Sequence, residues 1–163
     1  MENGAEGILV HFTGGETAEA SAATGKHCTN YHAEASTLMH AATMIQTSEN
    51  NCTQVVFLSD ALSVLQAFQN NKLPSLFQAL WQVAHTRRTV LQWILAHCGV
   101  PGNEQADTLA KRGAKMSQPN NSITYSEKKS IIKALTAPTI LKDDYHLLSR
   151  EQQTVRLRTG HNK

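Results

Sequence analysis

Gln54-Val-Val-Phe-Leu-Ser-Asp-Ala-Leu62 is the stretch on which the reading of the fold turns. Val55 to Leu58 is an unbroken apolar run, β-branched at its start and too short for a helix. A run of this kind reads as a parallel strand buried on both faces. Ser59 then offers a helix cap, and Leu62, Leu65 and Phe68 recur at helical spacing, so a strand passes almost directly into a helix. Asp60 sits at the junction, just past the carboxyl end of the strand, where open α/β sheets carry their functional groups. It is also the first aspartate of the chain.

The same alternation extends in both directions. Upstream, Gly7-Ile-Leu-Val-His-Phe12 has no helical period and ends at a Thr-Gly-Gly turn signal; Gly14 and Gly15 can supply the positive φ of a tight hairpin, and Thr17 to Ala23 pairs back. Thr29 or Asn30 caps a helix over 31–46, with Leu38, Ala41, Ala42 and Ile45 on its inward stripe. Downstream, Pro74 opens a second crossover helix carrying Leu76, Leu80 and Val83. A strand over 89–95 follows, then a turn at Gly99-Val-Pro-Gly102 and a helix over 103–114 with Leu109 and Ala110 inward. Strand and helix in alternation mean an α/β fold with parallel strands joined by helical crossovers. Residues 1–116 form this domain, the polar stretch 117–123 is a linker, and 124–163 is a helical C-terminal extension. Thr124-x-x-Glu127 and Ser149-x-x-Gln152 are capping-box patterns that open helices in that extension.

Composition narrows the class. The chain has 163 residues, enough for one core with an appendage, and 40% of them are hydrophobic, as in a globular protein. No apolar run approaches the roughly 20 residues that span a bilayer, and Met1 leads into a polar, acidic stretch rather than a signal peptide. The expectation is an intracellular protein with no membrane partner, cytoplasmic or nuclear. Cys28, Cys52 and Cys98 are odd in number and scattered, which suits buried or half-buried thiols in a reducing compartment. The net charge of +2 hides an asymmetry: residues 1–110 carry four cations against nine acids, whereas 111–163 carry eleven cations against four acids. A basic C-terminal third suits a phosphate backbone, and equally a solvated helical surface.

Glu34 falls in the first turn of its helix, and Asp107 shares a helix face with Asn103 four residues before it. With Asp60 they make three carboxylates on separate elements, a set that can converge on a hard cation such as Mg²⁺. Two such ions about 4 Å apart would activate water and stabilise a leaving oxygen in phosphodiester hydrolysis. Each acid also has a plainer explanation. Glu34 and Asp60 suit the positive ends of their helices, and Asp107 suits a solvated position. Spacing alone leaves both readings open.

Tyr31-His-Ala-Glu-Ala35, Phe57-Leu-Ser-Asp-Ala-Leu62 and Trp93-Ile-Leu-Ala-His-Cys-Gly-Val-Pro-Gly-Asn-Glu-Gln-Ala-Asp-Thr-Leu-Ala-Lys111 occur in that order. Together they resemble the three later motifs of the ribonuclease H type 1 family, the last being long and specific. The wording is most similar to the ribonuclease H domain that follows reverse transcriptase in non-LTR retrotransposons. Residues 145–161 resemble segments downstream of it, so the likeness covers nearly the whole chain. The resemblance implies a mixed sheet flanked by helices, and hydrolysis of the RNA strand of RNA–DNA hybrids with Mg²⁺ or Mn²⁺ at a two-ion site. It makes Glu34, Asp60 and Asp107 metal-binding carboxylates and His97 a group for proton transfer or product release. Ser59, Asn103 and Glu104 become supports of that site, and a nucleic acid and a tethered reverse transcriptase domain become partners.

One motif of the family is absent. Its first strand carries Thr-Asp-Gly-Ser, and here Thr13-Gly-Gly-Glu16 is only a superficial match with Gly14 at the aspartate's place. The better alignment makes residues 7–12 the family's second strand, which puts the first strand upstream of Met1. In the family that strand lies between the second and fourth, so its absence splits the sheet and removes the carboxylate that bridges both ions. Backbone groups left buried without partners cost about 1–3 kcal/mol each, against a total stability of roughly 5–15 kcal/mol. The expectation is a marginal domain with impaired cleavage, or a non-catalytic nucleic-acid-binding remnant. Glu2, Glu6 and Glu16 are candidate substitutes that no spacing recommends.

Overall fold

Backbone pairing sorts the strands into two pairs rather than one sheet. The computed structural model describes residues 3–121, 123–125, 127–133 and 135. Strand β1 (Gly4–His11) pairs antiparallel with β2 (Thr17–Gly25), with Ile8 opposite Ala20. The turn between them closes through the Phe12 N–H to the Glu16 carbonyl at 2.9 Å and the Gly15 N–H to the Phe12 carbonyl at 2.9 Å. Gly15 takes φ of 85°, a left-handed conformation that glycine adopts without steric cost. Strand β3 (Gln54–Ser59) pairs in parallel with β4 (Arg88–Trp93), with Phe57 opposite Leu91. Among the described residues no ladder joins β1 to β3.

Helix α1 (Asn30–Thr47) starts where the Thr29 hydroxyl accepts the His32 N–H at 3.2 Å, which settles Thr29 as the cap. Its buried positions are Ala33, Ala35, Leu38, Ala42 and Ile45, so the expected stripe faces the core and runs one turn further toward the N-terminus. The crossover from β3 to β4 holds α2 (Leu62–Gln69) and α3 (Pro74–Ala84), separated at Asn71, whose φ of 56° is one that asparagine tolerates. Leu76, Leu80 and Val83 on α3 are buried against Leu38, Ala42 and Phe57. Burial of such side chains is worth about 1.5–3 kcal/mol each and fixes α1 and α3 over one face of β3. Helix α4 (Pro101–Ala114) lies against β1 and β2. A Cβ on Gly7 would collide with the Ala106 carbonyl, and one on Gly113 with the Ala22 carbonyl, so two glycines set how closely this helix approaches.

The α/β class, one antiparallel and one parallel strand pair, and the flanking helices agree with the sequence reading of a divided sheet. Several details differ. Strand β3 is not buried on both faces: Val56 is 46% and Leu58 52% exposed, because β3 has a strand on one side only. Ser59 does not cap α2. It is the last residue of β3, buried, and its hydroxyl accepts the Ala61 N–H at 3.2 Å, while Ala61 holds the cap position with no side-chain bond. Leu62 is exposed and Val64 takes the inward place. Helix α4 begins two residues before the expected start, with Pro101 in its first turn. Cys98 is exposed, whereas Cys28 and Cys52 are half-buried, and none of the three is disulfide-bonded.

The chain divides into two compact units, 1–122 and 123–163. In the second, the Thr124 hydroxyl accepts the Glu127 N–H at 3.3 Å and the Glu127 carboxylate accepts the Thr124 N–H at 2.7 Å. This is the expected capping box, and residues 127–133 are helical. The second capping box at Ser149 and Gln152, and most of the basic tail, lie outside the described residues. No helix among the described residues is long and apolar enough to cross a membrane.

Candidate active site

Each acid reaches the site because of where its element ends or begins. Parallel pairing aligns β3 and β4 so that both chains leave the sheet at the same end. There the Asp60 carbonyl accepts the Leu62 N–H at 2.9 Å and the Trp93 indole N–H at 3.2 Å. These two bonds pin the backbone that carries the Asp60 carboxylate. Glu34 projects from the first turns of α1 after the Thr29 cap. Asp107 lies in α4, one turn beyond Asn103.

Asp60 and Asp107 each lie within electrostatic reach of Glu34. The Glu34 carboxyl is held above the usual carboxylate range, first by burial, then by the negative charges of Asp60 and Asp107. A charge effect of this kind requires the three carboxylates to lie within electrostatic reach. Asn103 donates from Nδ2 to Asp60 Oδ2 at 3.2 Å, tying α4 to the end of β3. The face shared by Asn103 and Asp107 is therefore turned toward Asp60, as the spacing of four residues requires.

His97 borders the acids from the loop between β4 and α4. Its Nδ1 is 3.7 Å from Asp107 Oδ2, and its side chain is 75% exposed. Its backbone is left-handed, with φ of 52°, a conformation uncommon outside glycine and recurrent at functional sites. Glu104, His97 and Asp107 place ligand atoms within 4.8 Å of one another. Ser59 spends its hydroxyl on the turn, so it shapes the Asp60 backbone rather than the site's surface. Of the candidate substitutes, Glu2 lies outside the described residues, and Glu6 and Glu16 are placed apart from the acids. Glu6 is buried on β1, accepting from the Ser36 hydroxyl at 2.6 Å and lying 2.7 Å from His40 Nδ1, and Glu16 is exposed in the hairpin turn. Trp93 opens the third motif in the sequence, but its indole bond to the Asp60 carbonyl is visible only in the structure.

The donor chemistry fits a hard divalent cation. Three carboxylates supply oxygen ligands, and among the described residues no Lys or Arg forms an ion pair with any of them. A cation would relieve the repulsion that disfavours the ionised form of Glu34, although the ligand atoms grouped within 4.8 Å are those of His97, Glu104 and Asp107.

Two comparisons bear on this arrangement. The family model described as RNase H matches residues 1–115. A protein named "Ribonuclease H" from Rhizobium etli is 33% identical over 54 residues, a stretch that covers 33% of this chain and 36% of that relative.

Proposed function

This chain belongs to the RNase H family, and from that premise we propose that its acidic cluster is a metal-dependent nuclease site for the RNA strand of an RNA–DNA hybrid. The observation that carries the reading is the convergence of Glu34, Asp60 and Asp107 from three elements, registered by the raised Glu34 carboxyl. Mg²⁺ is the proposed ion, with Mn²⁺ as a substitute, since an all-oxygen donor set suits both. Glu34, Asp60 and Asp107 are the residues that would hold it.

Bound divalent cations supply Lewis acidity, which lowers the pKa of water and draws negative charge off the scissile phosphate. The rest is done by the chain. Asn103 occupies one oxygen of Asp60 and fixes the plane of that carboxylate. Burial and the charges of Asp60 and Asp107 disfavour the ionised form of Glu34, and a bound cation would favour that form. His97, exposed at the rim and beside Asp107, is placed to pass a proton between the site and solvent. Hybrid recognition would rest on A-form shape, phosphates and 2′-hydroxyls rather than on sequence.

The proposal includes reduced activity. Asp60 is the first aspartate of the chain, so no aspartate precedes Glu34 to serve as the family's first carboxylate, and Glu6 is committed to Ser36 and His40. The motif wording places this site, as part of the proposal, in the setting of a retrotransposon reverse transcriptase. The alternative is a nucleic-acid-binding remnant without catalysis, favoured by the same absence. The deciding experiment is cleavage of a labelled RNA–DNA hybrid by the purified chain in Mg²⁺ and in Mn²⁺, beside Asp60→Asn. Weak cleavage that Asp60→Asn lowers by roughly 100-fold supports the nuclease reading. Hybrid binding by folded protein without cleavage in either ion supports the remnant.

A further inference from the structure

Helix α3 buries one face and leaves the other aromatic. Leu76, Leu80 and Val83 are buried, while Phe77 and Trp81, four residues apart, share the outer face. Phe77 is 51% and Trp81 56% exposed. Single apolar residues at a surface need no explanation, but these two belong to a continuous row. Phe68, near the end of α2, stacks on Phe77 with ring centroids 6.1 Å apart. Phe77 stacks in turn on Trp81 at 6.2 Å, with the ring planes only 15° apart. His85 closes the row, 5.4 Å from Trp81 and turned 65° to it. Phe68 packs against the core, so the row is anchored at one end and each ring is braced by the next.

The charge around this row has one sign. Residues 61–103 contain no Asp or Glu, although residues 1–110 as a whole carry nine acids against four cations. Three of those four cations, Lys72, Arg87 and Arg88, lie in this segment. Lys72 is exposed in the turn that leads into α3, and Arg88 is exposed just past the helix's other end. A cation therefore stands at each end of the helix that carries the rings. Arg87 is half-buried and donates to the Asn50 carbonyl at 3.2 Å.

An exposed aromatic row framed by cations fits a ligand that is both anionic and aromatic. An acidic peptide offers the charge without a ring at every residue, whereas a polynucleotide repeats both. The spacing then selects among nucleic acids. Successive phosphates of a duplex strand are about 3.4 Å apart along the axis, with the bases stacked on one another. Rings 6.1 and 6.2 Å apart suit a strand whose bases have separated and stack on protein instead.

We propose that the outer face of α3 is a stacking platform for single-stranded nucleic acid, with bases on Phe77 and Trp81 and phosphates on Lys72 and Arg88. The platform leads away from the acid cluster. Helix α3 runs into β4, whose first residue, Arg88, pairs with Gln54 at the opposite end of the β3–β4 pair from Asp60. At about 3.3 Å per residue, the length of β3 puts roughly 20 Å between Gln54 and Asp60.

The test needs neither metal nor cleavage, so it can fail while the proposed function stands, and the reverse. A fluorescein-labelled oligothymidylate of about twelve nucleotides is titrated with the full chain in EDTA. Binding is read by fluorescence anisotropy and folding by circular dichroism. Trp81→Leu and Phe77→Leu keep apolar bulk but remove the aromatic face, so each should weaken binding by about tenfold. Trp81→Phe keeps a ring and should retain most of the affinity. Lys72→Ala should weaken binding and flatten its dependence on salt. Tyr125→Leu removes an exposed ring outside the row and should bind as the parent does. The proposal is overturned if the folded parent does not bind, if Trp81→Leu and Phe77→Leu bind as well as the parent, or if Tyr125→Leu loses as much as they do. It is also overturned if the parent sediments as a dimer that Trp81→Leu dissociates, a result that gives this face to a second copy of the chain.

Discussion

At the scale of the residue, Glu34 carries a testable signature of the acid cluster. A carboxyl whose pKa is raised on folding holds its proton more tightly folded than unfolded. Stability then falls as pH rises from the ordinary carboxylate range through the raised value, and at pH 7 the ionised group is a net cost. Glu34→Gln removes that cost, so the variant should show a higher urea midpoint than the parent at pH 7, with the difference narrowing toward pH 4. Saturating Mg²⁺ should erase the advantage, because a cation favours the ionised glutamate that the variant lacks. A variant less stable than the parent at pH 7 would deny that the three acids repel one another. Asn103 acts through Asp60, so Asn103→Ala should weaken Mg²⁺ affinity by about 10-fold while leaving the fold intact, read by calorimetric titration and circular dichroism. Glu34, Asp60, Asp107 and His97 are nominated by the sequence because they sit in specific motifs. Their mutual distances are not, since nothing in spacing says that α1, β3 and α4 end at one place.

At the scale of the element, α4 decides whether Asp107 and Asn103 reach Asp60. The helix is seated by glycine contacts, with Gly7 of β1 against the Ala106 carbonyl and Gly113 against the Ala22 carbonyl. Gly7→Ala pushes a methyl into backbone rather than into a flexible side chain, so the helix must shift. We expect a loss of about 1–3 kcal/mol in denaturant unfolding, with Mg²⁺ affinity falling in parallel because the shift carries Asp107 with it. A neutral effect on both would mean that α4 is not held through that contact. The elements themselves were largely legible. Periodicity gave the inward stripe of α1 and the Leu76, Leu80 and Val83 face of α3, and the Gly-Gly signal gave the hairpin turn. The errors were local. Ser59 looked like a cap because a serine before a helix usually is one, but parallel pairing kept it in the strand.

At the scale of the molecule, the division of the sheet sets the energetics. The first compact unit holds its strands in two pairs, with a cavity where backbone groups on β1 and β3 face each other unpaired. Each such group that is shielded from water costs about 1–3 kcal/mol, a large share of a typical stability of roughly 5–15 kcal/mol. The expected behaviour is low stability in the absence of ligand, raised by anything that binds the folded state alone. Mg²⁺ at about a hundred times its Kd should add about 2.7 kcal/mol, visible as a higher melting temperature and absent in Asp60→Asn. Melting of the unliganded monomer that is cooperative and at high temperature would refute the account of a divided sheet.

The sequence by itself determined the alternation of strands and helices, the residues of the core stripes and the identity of the acids. These follow from local periodicity, turn chemistry and motif, which neighbouring residues encode. Only the tertiary structure decided the rest. It left Val56 and Leu58 half-exposed, β3 having one strand partner among the described residues, and it committed Glu6 to Ser36 and His40 because β1 packs on α1. It also buried Glu34 and set it within reach of the charges of Asp60 and Asp107, which together raise its carboxyl pKa. These outcomes depend on which distant elements meet, and charge, burial and unpaired backbone are properties of that meeting.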